Sequence, residues 1–195
     1  MFLFVVKNTS AQTDTAFWFA APDIDEIGNL DKPIKLRVSS YQLPATVTIT
    51  QPANSSFATQ TITLAPYSTQ SVDLTPQLDI IECKPGNVIQ NRGLKISATN
   101  KIAVYYEVNE GAPNPEIFSL KGRNALGTQF YISSQNIIDN NFYSSGTLPY
   151  SSFNIVATED NTAVTITPSN NITGHVAGIP FTINLKKLQL PRLLV

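Results

Sequence analysis

Hydrophobic and polar residues alternate along most of this chain. In Ala45-Thr-Val-Thr-Ile-Thr50, Val47 and Ile49 point one way while Thr46, Thr48 and Thr50 point the other. The same period of two recurs in Thr61-Ile-Thr-Leu64, Leu94-Lys-Ile-Ser-Ala98 and Ile102-Ala-Val-Tyr-Tyr-Glu-Val108. It returns in Phe153-Asn-Ile-Val-Ala157, Ala163-Val-Thr-Ile-Thr167 and Phe181-Thr-Ile-Asn-Leu185. Successive side chains of a strand leave on opposite faces, so this pattern predicts strands buried on one side. Turn formers punctuate them at Gln51-Pro-Ala-Asn-Ser-Ser56, Ala65-Pro-Tyr67, Lys84-Pro-Gly-Asn87, Glu159-Asp-Asn161 and Pro168-Ser-Asn-Asn171. No window carries a helical period. The expected fold is all-β, of β-sandwich type, with a small-bladed, propeller-like arrangement as the alternative.

The pattern also repeats. Thr15-Ala-Phe-Trp-Phe19 matches Thr128-Gln-Phe-Tyr-Ile132 at an offset of 113, and Ala45-Thr-Val-Thr-Ile-Thr50 answers Thr162-Ala-Val-Thr-Ile-Thr167 at 117. Leu36-Arg-Val-Ser-Ser40 takes the place of Phe153-Asn-Ile-Val-Ala157. Several matches at nearly one offset predict two related antiparallel units. The first is expected over 13–122 and the second over 123–195, after a leader or signal-peptide remnant at 1–12. The repeat puts Trp18 and Tyr131 in equivalent places, each between buried neighbours: Phe17 and Phe19, or Phe130 and Ile132. From Lys186 to Val195 the alternation fades, so the second unit is expected to be incomplete.

Composition narrows the function. Charged residues make up 14% of the chain against the roughly 25% usual in soluble domains, and the net charge is -1. Thr, Ser, Asn and Gln fill the difference. Nucleic acid needs a basic stripe to neutralise phosphates, and the cations here are scattered. Cys83 is the only cysteine and His175 the only histidine. That rules out an intrachain disulfide and a cysteine-based zinc site, and no metal or cofactor is expected. Cys83 reads as a small buried hydrophobe. The apolar run Met1-Phe-Leu-Phe-Val-Val6, followed by Lys7-Asn-Thr-Ser-Ala-Gln12, has the shape of a signal peptide's second half. The alternative is a first β-strand. No run approaches the ~20 apolar residues of a membrane span.

Several phrases resemble the IgG-Fc-binding-protein N-terminal domain family. Asp14-Thr-Ala-Phe-Trp-Phe-Ala-Ala-Pro22 is similar to its opening "GTEFWLAFP", and Arg92-Gly-Leu-Lys-Ile-Ser-Ala-Thr-Asn-Lys-Ile-Ala-Val-Tyr-Tyr106 to its "KGIHITSDKPISVY" hairpin. Ala125-Leu-Gly-Thr-Gln-Phe-Tyr131 is similar to "ALGTEYYV". The most specific phrase, Val156-Ala-Thr-Glu-Asp-Asn-Thr-Ala-Val-Thr-Ile-Thr-Pro168, resembles "VATEDNTTVTITP". The chain departs from the family at Ser39-Ser40-Tyr41 and in the tail. The resemblance implies a module of a large secreted or surface bacterial protein, and it carries no catalytic residue over. Ser10-Ala-Gln12 and Asp14-Thr-Ala16 also resemble, respectively, an export cleavage site and a short O-glycosylation sequence of Gram-negative gliding bacteria.

Individual candidates each have a plainer explanation. Glu159-Asp-Asn161 suggests a calcium corner, but calcium takes six to eight oxygens, and Asp and Asn are also ordinary turn formers. Glu107 and Glu110 could form a glycosidase pair, or two solvated carboxylates. His175, between Gly174 and Val176, lacks the strained serine and orienting acid of a triad and reads as a surface loop. Tyr41, Tyr67, Tyr105, Tyr143 and Tyr150 fall on outward or loop positions, where tyrosine suits protein or glycan contact. The sequence therefore points to a non-catalytic, secreted or cell-surface adhesion or ligand-binding module of a larger bacterial protein. Its expected partner is a protein or glycan at the cell exterior. A purely structural spacer is second, and a fragment of a carbohydrate-active enzyme third. No binding residues can be singled out.

Overall fold

A computed structural model of the chain describes residues 12–24, 31–109, 115–133 and 151–194. The apolar run at the N-terminus, Glu110, Tyr143 and Tyr150 lie outside the described residues. The first strands are β1 (Asp14–Phe19), β2 (Ile34–Ser40), β3 (Ala45–Thr50), β4 (Gln60–Leu64) and β5 (Thr69–Asp73). A one-turn helix, α1 (Leu78–Ile81), precedes β6 (Ile89–Gln90), β7 (Leu94–Val108) and β8 (Glu116–Ser119). The strands β9 (Ser152–Asn154), β10 (Thr162–Ile166), β11 (Phe181–Leu185) and β12 (Leu190–Leu194) complete the order. The all-β reading holds. No described helix is long and apolar enough to cross a membrane.

β7 organises the main sheet. The two strands expected at 94–98 and 102–108 form one strand of 15 residues. One edge of it takes β3 and then β2, and the other takes β1 and β8. β4 pairs with β3, and β5 pairs with β2. Six residues lie between Ser40 and Val47, but only three between their β7 partners, Ile102 and Ala98. Three surplus residues on one side of a ladder make an enlarged bulge, which bends the strands and tightens their twist. The result is one nearly closed, barrel-like sheet, so the two layers come from a single sheet curling over.

The inward residues of both halves meet in one core. Ile34, Leu36, Val38, Val47, Ile49, Leu94, Ile96, Ile102 and Tyr106 are at most 1% exposed, with Phe17 from β1 and Ile81 from α1. Phe19 tilts against Tyr106 at a ring distance of 4.6 Å. Burying a Leu or Ile side chain contributes about 1.5–3 kcal/mol, so this cluster supplies most of the drive to fold.

The later strands repeat part of this plan. β2–β3–β4–β5 is a long hairpin broken in the middle: β3 pairs with β4, then β2 with β5. β9–β10–β11–β12 does the same, β10 with β11 and β9 with β12. Ala45 faces Leu64 as Thr162 faces Leu185, and Arg37 faces Ser71 as Asn154 faces Arg192. At the break, the Ser40 N–H donates to the Ser68 carbonyl at 2.9 Å, and the Ala157 N–H to the Gln189 carbonyl at 3.2 Å. Tyr67 and Leu188, equivalent turn residues, have left-handed φ values of 53° and 63°.

Beyond Lys186, where the alternation fades, Leu190–Leu194 is strand β12, which pairs with β9 and, through Leu190 and Gln90, with β6. One expectation needs correction. Tyr131 does not reproduce Trp18. Trp18 lies in β1, whereas Tyr131 lies outside any strand and is 92% exposed, beside exposed Phe130 and Ile132. β1 exists because β7 pairs with it, and among the described residues 128–132 has no such strand beside it.

Candidate binding cleft

The bulge that bends the sheet also borders a concavity. Tyr41, Gln42 and Leu43 are the surplus residues between β2 and β3, released from the ladder and so free to project. With Gln12, Thr13, Asn100 and Lys101 they line an open cleft of about 680 Å³. Hydrogen bonds hold the bulge and the β7 residues beside it. The Tyr67 N–H donates to the Tyr41 carbonyl at 2.7 Å, Asn100 Nδ2 donates to the Pro44 carbonyl at 2.7 Å, and the Thr46 N–H donates to Thr99 Oγ1 at 3.0 Å. Tyr41 and Leu43 are exposed above it, and Tyr67 stands nearby at 76% exposure. The lining offers amides, hydroxyls, one ammonium group and two apolar surfaces. Such a set suits sugar hydroxyls or the backbone of a peptide. It supplies no carboxylate pair for proton transfer.

Other candidates take structural places. Glu107 pairs with Arg37 across β2 and β7. Cys83 is fully buried, and burial pushes its thiol up to about 12, so it is a packed hydrophobe rather than a nucleophile. Beside it, buried Glu82 is raised by desolvation, against the pull of Lys84 Nζ at 3.0 Å from Oε2. Asp160 Oδ1 accepts the Lys187 N–H at 3.0 Å, and Thr162 Oγ1 donates to the Glu159 carbonyl at 2.7 Å, so this corner is built as a turn. The His175 ring stacks on Phe181 with centroids 3.4 Å apart. Thr15 Oγ1 accepts from Arg123, which also pairs with Asp14. Of the tyrosines, Tyr41 and Tyr67 are exposed and Tyr105 is half-buried. The sequence named Tyr41 but not its companions, because the bulge that gathers them is a register property.

Fold and cleft together define an all-β domain with an open cleft lined mainly by uncharged polar side chains. Residues 118–193 match the family described as IgGFc binding protein, which bears out the resemblance read from the sequence. The chain matches no curated protein. A solved structure titled "Crystal Structure of Thermotoga maritima 1070" shares 14% identity at a TM-score of 0.35, covering 58% of this chain and 98% of that one. A likeness that slight does not speak for a shared fold.

Proposed function

We propose that this chain is a non-catalytic adhesion or ligand-binding module, carried by a larger bacterial protein at the cell exterior. Its ligand is a protein or glycan. The cleft at the bulge carries the reading: it gathers Tyr41, Leu43, Asn100 and Lys101 around an open hollow on a weakly charged surface. Aromatic and amide groups give contact area and directional hydrogen bonds at low entropy cost. The family match adds support, and its description makes IgG one ligand to include in any screen. The experiment is a screen of the purified chain against immobilised glycans, glycoproteins and IgG, repeated with Tyr41→Ala/Leu43→Ala. Loss of two exposed anchors should weaken capture at least about tenfold. Equal capture by both forms, or none, would favour the spacer reading, which evenly spread outward threonines such as Thr46, Thr63 and Thr165 support. Export has its own test. Mature protein should be found outside the cell, beginning near Gln12 or Thr13, and cytosolic protein with Met1 intact would refute an exterior role.

A further inference from the structure

We infer that the cleft at the bulge selects acidic glycans, with Lys101 holding the carboxylate or sulfate of a sugar whose ring lies on Tyr41. The inference rests on the reading of this cleft as a binding site and adds the chemical class of its ligand. Among the described residues of the lining, Lys101 is the one charged group, and it is exposed. Asp14 stands opposite Ile102, the next residue of β7. Its carboxylate is already engaged on the other side. Oδ2 accepts the Arg123 N–H at 2.7 Å, while Oδ1 accepts the Thr15 N–H at 2.6 Å and pairs with the Arg123 guanidinium. That leaves the Lys101 ammonium for a ligand. The whole chain carries a net charge of -1, so an anion is drawn by this local group and not by the protein as a whole.

The rest of the lining suits a sugar better than an acidic peptide. A peptide laid along a sheet is read through backbone groups. Around this hollow they are engaged: the Tyr41 carbonyl accepts from Tyr67, the Pro44 carbonyl from Asn100, and the Thr46 N–H donates to Thr99. What remains is side-chain chemistry, the amides of Gln12 and Gln42, the Thr13 hydroxyl and Asn100 Oδ1. Amides and hydroxyls both give and accept hydrogen bonds, as the hydroxyls of a sugar ring require. Tyr41 and Leu43, 44% and 57% exposed, supply apolar surface for the C–H face of that ring. The negative face of the Tyr41 π-system attracts its hydrogens. An ammonium then adds a charge-assisted bond, roughly twice as strong as a neutral one, to an anionic substituent. The hollow of about 680 Å³ falls among small-ligand sites, which span about 300–1,000 Å³.

The test measures, by titration calorimetry on the 195-residue chain, the binding of three oligosaccharides. A hyaluronan hexasaccharide carries carboxylates, a 6-sulfated chitohexaose carries sulfates, and chitohexaose is neutral. At least one acidic oligosaccharide should bind at least about tenfold more tightly than the neutral one, and which of the two does so identifies the anionic group. Lys101→Gln should remove the preference and Lys101→Arg should keep it. Lys186→Gln, at an exposed lysine outside the cleft, should leave it unchanged. Raising salt from about 50 to about 300 mM should weaken acidic binding to the native chain but not to Lys101→Gln. An unchanged urea midpoint shows that each variant is folded.

The two readings fail in different ways. Equal binding of acidic and neutral oligosaccharides, weakened in both cases by Tyr41→Ala/Leu43→Ala, would overturn selection by charge and leave the cleft as the binding site. Acidic binding that survives Tyr41→Ala/Leu43→Ala unchanged would overturn the cleft reading and this inference together. Binding of none of the three at about 1 mM, a range typical of the weakest specific contacts, would overturn the glycan assignment alone. A hexapeptide of glutamate that binds as tightly as the acidic sugars would overturn it too, because the cleft would then read charge without the ring.

Discussion

Ile49 and Ile166 occupy the same place in two copies of one broken hairpin, yet one is sealed in the core and the other is half-open to solvent. Nothing in either residue explains this. The first hairpin is covered by β7, which crosses its whole length, and the second is tied to the earlier part of the chain through a different edge, where β12 pairs with β6. Asn87 donates its N–H to the Arg192 carbonyl there at 2.6 Å and accepts the Leu194 N–H at 3.2 Å, and Arg192 pairs with Asp23. Burial thus follows from the neighbouring strand, not from the alternation that both copies share.

The sharpest way to break the comparison is to delete matched side chains. Phe17→Ala should cost about 3–5 kcal/mol, the range for a buried phenylalanine, while Phe130→Ala should stay within about 0.5 kcal/mol. Ile49→Ala should cost about 2–5 kcal/mol and Ile166→Ala clearly less. Urea midpoints at unchanged m-value decide each pair. Equal losses within a pair would remove the asymmetry.

Next in size is the seam between the copies. A Cβ on Gly93 would lie 2.6 Å from the Leu188 carbonyl oxygen, so Gly93→Ala forces backbone apart and should cost about 1–3 kcal/mol. Faster amide exchange in β12 than in β3 is the accompanying sign; unchanged exchange would mean that the copies do not lean on each other at Gly93.

The smallest effect concerns Asp14, which ties β1 to the turn at 122–125. Burial alone would raise its carboxyl. Hydrogen bonds from the Arg123 and Thr15 N–H groups and the Arg123 charge outweigh that and hold it below the usual 3.8. A lowered carboxylate adds stability above its unfolded value that is lost as pH falls through its folded value. Asp14→Asn should therefore flatten the acid side of the stability curve below about pH 4, by less than about 1 kcal/mol because its partner Arg123 is exposed to solvent. An identical acid limb in the variant would exclude the contribution.

How far the sequence could be read follows the same physics. Strands β3, β4, β10 and β11 are legible because each alternates over a half-buried face. The match of Ala45 with Thr162 is legible too, since hairpin register is local. β12 is not legible because Leu190-Pro-Arg-Leu-Leu194 carries a proline and a single polar residue, and so has no alternation to show. Tyr131 was misplaced because a phrase such as Thr-Gln-Phe-Tyr-Ile becomes a strand only when a partner pairs with it. The cleft was legible only through Tyr41, since Asn100 and Lys101 reach it by a register slip between strands distant in sequence.

The central claim is that β9–β12 repeats β2–β5 and that, among the described residues, β10 pairs with β11 alone whereas β3 pairs with both β4 and β7. Residue-resolved amide exchange on the isolated chain tests it most directly. In β3 every amide should be protected, because both edges are paired. In β10 protection should alternate, slow for amides bonded to β11 and fast for those facing the other edge. Uniform protection along Thr162–Ile166 would show that edge paired as well and contradict the account.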